Sequence, residues 1–138
     1  DTSAGGPVGT SVRELPDLHV DLNVQPLYGG EDTFYVFTLG AMTTAADGTV
    51  VSFNSGQMYD FVVTQDGREL WRWSDGRAFH QAFIEESFAF GELRVFTAVW
   101  DGRDANGKPV VGEVEVRGRL TSVPRLETPA RALEMQNQ

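Results

Sequence analysis

His19 and His80 are the side chains able to act as a general base near neutral pH without a large shift, and neither sits in a catalytic pattern. His19 lies on the polar side of an alternating run, and His80 stands among aromatics in AFHQAF, where a structural or surface role is the expectation. No G-x-S-x-G elbow surrounds a serine and neither histidine belongs to H-E-x-x-H, so nucleophilic and zinc hydrolysis lack a visible apparatus. Glu85 and Glu86 are adjacent; on a strand neighbours point to opposite faces, so they make no acid/base pair. Asp101, Asp104 and Asn106 have oxygens at spacings similar to a calcium loop but lack the downstream bidentate Glu, and turn chemistry accounts for Asp-Gly and Asn-Gly by itself. With no cysteine, thiol chemistry, disulfides and Cys-built zinc sites are excluded. Neither a phosphate-cradling loop, a metal nor a cofactor is indicated.

The densest unusual segment runs from Glu69 to Phe79, ELWRWSDGRAF. On a strand Trp71 and Trp73 share one face with Arg72 opposite. Exposed Trp and Arg are the residues most enriched in binding hot spots, and stacked Trp rings can hold a sugar; the alternative is that these two, with Trp100, fill a core. The turn Ser74-Asp75-Gly76-Arg77, preceded by Arg72, is the candidate partner-binding element.

The elements that must position these residues are strands. Leu18, Val20, Leu22 and Val24 alternate with polar residues until Pro26, which is expected to end the strand. A loop LYGGED follows, then strands are expected at 34–44, 50–53, 59–64, 69–73, 83–90, 93–100 and 110–120, separated by turn pairs such as Asp47-Gly48 and Asp66-Gly67. No stretch has a convincing period of 3.6 and no internal repeat appears, which argues for an all-β antiparallel sandwich. In the tail, Thr128-Pro129 reads as a helix N-cap and first turn, whereas Leu133 and Met135 read as the inward positions of a closing strand.

At 138 residues one domain is the default, with roughly 68% of its unfolded surface buried at this size. The composition, 41% hydrophobic and 11% aromatic, is too apolar for intrinsic disorder, and no apolar run reaches the ~20 residues of a spanning helix. A net charge of −9 has the wrong sign for gripping phosphate backbones, so nucleic acid is not an expected partner. Residues 1–67 carry Arg13 alone against nine acids, an asymmetry that steers basic partners or simply solubilises the surface. The opening DTSAGGPVGTS starts without Met and is rich in Gly, Ser and Thr. It sets the expectation of a flexible tether over 1–14 and a domain over 15–138, in an exported or envelope protein whose signal or anchor has been removed.

The run FNSGQMYDFVVTQDGRELWRWSDGRAFHQAF, followed by Gly91-Glu92, Trp100 and GKPVVGEVEVRG, resembles the BsuPI family of bacterial intracellular proteinase inhibitors. The family segments F-x-S/T-G-Q-x-Y/F-x-F/L-V-V, aromatic-x-aromatic-S, M/A-F-x-Q-A-F, G-E, Trp and P-x-G-x-Y-x-V align with Phe53 to Val63, Trp71 to Ser74, Ala78 to Phe83, Gly91-Glu92, Trp100, and Val110 to Val116. Val114 departs from the usual Tyr, and the loop after Trp100 is also similar to those of other bacterial Ig-like modules. The resemblance spans about Leu18 to Met135 and favours the strand reading of Leu133 to Met135.

It implies a single antiparallel Ig-like β-sandwich and a non-enzymatic, monomeric or weakly dimeric module. The implied partner is a protease, of serine type, or another protein. It implies the cytoplasm if the family name holds. The alternative is a structural or adhesive Ig-like module of an exported bacterial protein. The resemblance localises no reactive-site residue.

Overall fold

The alternation that begins at Leu18 is realised as β1, Leu18–Gly29, the first of ten strands in a computed structural model that describes residues 17–135. The tether expected over 1–14 lies outside the described residues. β2 spans Asp32–Thr43, β3 Thr49–Phe53, β4 Tyr59–Gln65, β5 Arg68–Arg72, β6 Ile84–Phe88, β7 Leu93–Trp100, β8 Gly112–Leu120, β9 Leu126–Glu127 and β10 Arg131–Met135. No helix occurs among the described residues, and every strand pair is antiparallel. One sheet has the order β1-β2-β7, a second β10-β8-β4-β5 with β9 alongside β8, and β3 pairs with β6.

Several boundaries differ from the sequence expectation for local physical reasons. Pro26 does not end β1; it pairs with Tyr35, and because β1 is an edge strand its missing N–H removes no ladder bond. The expected LYGGED loop shrinks accordingly to a tight turn at Gly30 and Glu31, with Gly30 at φ 66°. β6 is shorter than 83–90, leaving Phe83 and Phe90 exposed on either side. The tail is a strand: Arg131 to Met135 pair with Val116 to Gly112 on β8, and Met135 is buried. Thr128 caps no helix, because its hydroxyl accepts the Gly118 amide (3.0 Å) while its own N–H donates to the Gly118 carbonyl.

The core collects the inward positions of the two larger sheets. Phe37 and Leu39 of β2, Trp100 of β7, Phe61 and Val63 of β4, and Val114, Val116 and Leu120 of β8 are all essentially inaccessible. Their rings meet across the sheets, Phe37 lying 5.8 Å from Phe61 and 6.0 Å from Trp71 between centroids. Contacts of this tilted and edge-on kind contribute about 0.5–1.5 kcal/mol each beyond the area they bury.

Candidate functional site

β4 and β5 carry the segment that the sequence marks out. They are joined by Asp66 and Gly67, both at positive φ (52° and 81°), the conformation a two-residue hairpin turn demands. Pairing then slips between Val63 and Thr64, so that Leu70 is an extra residue on β5. Its carbonyl is not wasted, since the Ala105 amide of the loop after β7 donates to it at 2.9 Å. Beyond this bulge Trp71 lies opposite Val63 and Arg72 opposite Val62, and Trp73, just past the end of β5, donates its amide to the Phe61 carbonyl. Trp71 and Trp73 therefore share the inner face with Arg72 on the outer one.

The three tryptophans occupy graded depths. Trp100 is wholly buried and its indole N–H donates to the Arg103 carbonyl at 2.8 Å. Trp71 is half-buried against it, 5.9 Å between centroids. Trp73, also half-buried, stacks on Tyr59 at 4.3 Å, and the Arg77 guanidinium lies 4.3 Å from its ring centroid. Partners thus engage the Trp73 ring already, and it offers no open platform for a sugar.

The turn Ser74-Asp75-Gly76-Arg77 closes with the Arg77 amide donating to the Ser74 carbonyl (3.1 Å), and Gly76 takes φ 77°. Asp75, Gly76 and Arg77 are exposed. What fixes the turn is Asp60 on β4, an acid 2% accessible inside an apolar strand. One of its carboxylate oxygens accepts the Phe61 and Ser74 amides (2.9 and 3.0 Å); the other accepts the Ser74 hydroxyl (2.6 Å) and the Arg72 guanidinium (3.3 Å). Arg72 in turn grips Glu69 at 2.6 Å. That bond holds the Glu69 carboxyl below and the Arg72 guanidinium above their ordinary ranges. Arg77 does not project: its Nε donates to the Trp73 carbonyl at 2.8 Å, laying the side chain along the turn.

Asp60 is the residue that sequence reasoning missed. The signal was a lone charge between Tyr59 and Phe61 in an otherwise apolar strand; such a group stays buried only with a full set of donors. The other candidates fall elsewhere. His19, on β1, and His80, between β5 and β6, are both exposed, and the His80 carbonyl accepts the Gly56 amide. Glu86 pairs with Arg94 at 2.7 Å. Asp101 and Asp104 turn their oxygens onto their own loop, Asp104 accepting the Lys108 and Asn106 amides, of which the Lys108 bond does most to hold its carboxyl below the usual aspartate range.

The profile of the BsuPI family, described as intracellular proteinase inhibitor, matches residues 23–123. That stretch contains β4, β5, the Ser74–Arg77 turn and all three tryptophans. No curated protein sequence matches the chain. Among solved structures, the X-ray structure of Northeast Structural Genomics Consortium target SoR45 aligns over 88% of each chain, at 11% identity and a TM-score of 0.36.

Proposed function

The chain belongs to the BsuPI family of intracellular proteinase inhibitors, and on that premise we propose that it is a non-enzymatic module that binds a serine-type proteinase and blocks it with a surface turn. The observation that carries the reading is the family match over residues 23–123. The meeting of Phe37 with Phe61 and of Trp100 with Trp71 supports reading its two larger sheets as one antiparallel Ig-like sandwich. The word intracellular in the family description favours the cytoplasm and lends the exported alternative no support.

The docking element we assign is Ser74-Asp75-Gly76-Arg77 with Arg72 beneath it. Support comes from its exposure at the tip and its fixation at the base, where Asp60 holds Ser74 by amide and hydroxyl together. A turn held in this way loses little entropy on binding. Arg77 enters a proteinase pocket by leaving the Trp73 carbonyl and ring.

An inhibition assay of the purified chain against a panel of serine proteases tests the function. We expect at least one to be inhibited at micromolar concentration; a folded chain that inhibits none overturns the reading. Arg77→Ala is expected to weaken inhibition by at least about tenfold, ~1.4 kcal/mol. Unchanged inhibition by that folded variant moves the contact away from this turn.

A further inference from the structure

We propose that β7 is where two copies of this chain pair, edge to edge and antiparallel, about a two-fold axis. β7 terminates the sheet β1-β2-β7: one side is hydrogen-bonded to β2 from Met42↔Leu93 to Tyr35↔Trp100, and no strand pairs with the other side among the described residues. Its outward side chains are Leu93, Val95, Thr97 and Val99, all exposed, the three apolar ones by 56–60%. Behind them on the same face, β2 presents Met42, Gly40, Thr38 and Val36.

None of these eight positions carries a charge. Edge strands are ordinarily guarded by Lys, Pro or a bulge, and β7 has none of these on its outer face. An inward-pointing charge is a further guard, and β7 has one, Arg94, whose charge is matched by Glu86 and Glu92 (2.7 and 2.8 Å). An uncovered apolar strip of this kind marks an interaction surface.

Charge limits where a second copy can dock. With a net charge of −9, two copies repel each other over most of their surface, and the uncharged β7 face is where approach is least opposed. The strand is also self-complementary. An antiparallel pairing centred on Phe96 sets Val95 against Thr97 of the second copy and Leu93 against its Val99. Every opposed pair on the outward face is apolar or β-branched, Arg94 on the other face stands opposite Ala98 of the second copy, and no like charges meet.

Sedimentation equilibrium of the full chain over a wide concentration range tests this. The weight-average mass is expected to rise from that of the monomer towards twice that value. Thr97→Lys and Val95→Glu, both at exposed positions, each place an unpaired charge in the seam and are expected to weaken association by at least about tenfold. An equimolar mixture of the two variants sets opposite charges face to face and restores it. Val50→Lys, on β3 and 58% exposed, serves as a control that leaves association unchanged. A parent chain that stays monomeric throughout overturns the proposal, as does a variant chain that associates as tightly as the parent. Either result leaves the inhibitory reading standing, since that rests on a different surface.

Discussion

Asp60 shows what one buried carboxylate does for a turn. Its side chain is 3% accessible, and it takes three donors from the strand end and turn besides Arg72. Replacing it with alanine leaves the Ser74 and Phe61 amides short of an acceptor in a dry setting, where each unmade bond costs about 1–3 kcal/mol. We expect Asp60→Ala to lower stability by about 2–4 kcal/mol in a urea melt, and Arg72→Ala, which takes one 3.3 Å contact from the buried Asp60 carboxylate but leaves its three other donors in place, to lower it by less. Equal losses from the two variants would show that the ion pair, not the amide cradle, holds the turn. The tryptophans that flank this cradle were legible from period-two spacing alone, because a strand fixes which face each residue takes. Asp60 was not, because alternation says that it faces away from Phe61 but not that the Ser74 turn folds over to cover it.

At the scale of elements, turns were the most readable feature and sheet order the least. Asp-Gly pairs declare a local conformation that only the chain's neighbours influence, and Gly48 and Gly67 take the positive φ their turns require. Which strand lies beside which depends on packing between residues far apart in sequence, so the pairing of β3 with β6 and the sheet order β10-β8-β4-β5 left no local trace. Pro26 was misread for the same reason: its meaning depends on whether β1 is an edge. The two turn glycines separate conformation from crowding. A Cβ at Gly67 meets nothing within 4 Å, whereas one at Gly48 would stand 2.7 Å from the Phe88 carbonyl oxygen, where β3 and β6 begin their pairing. Gly67→Ala is therefore expected to cost only the left-handed penalty of about 1–2 kcal/mol, and Gly48→Ala clearly more, read as the difference in their denaturant midpoints. Equal midpoints would mean that the β2–β3 turn yields to the added methyl without disturbing β6.

Over the whole molecule the excess of acid is offset locally by arginines that link strands and turns. Arg72 engages Asp60 and Glu69, Arg94 engages Glu86 and Glu92, and Arg119 of β8 engages Glu127 of β9. Two of these carboxylates, Glu69 and Glu92, shape the acid limit of the fold. Glu69 is lowered chiefly by its hydrogen bond to Arg72, and Glu92 chiefly by the Ala89 amide it accepts. A carboxyl lowered in the folded state contributes stability that is present above its unfolded value, about 4.3 for glutamate, and that is lost as pH falls through its folded value. At the other end, burial raises the Tyr35 phenol, with Tyr28 adding to the effect. Its contribution is complete below the unfolded value, about 10, and disappears as pH rises through the folded one. Thermal melts across pH are expected to show a plateau between these limits. The acid-side fall should shrink in a Glu69→Gln, Glu92→Gln double variant and the alkaline-side fall in Tyr35→Phe. Each variant should leave the opposite limb where it was. An acid limb that survives the double variant at full depth would assign the loss to other carboxylates, and a single variant that moved both limbs would show that it had altered packing, not titration.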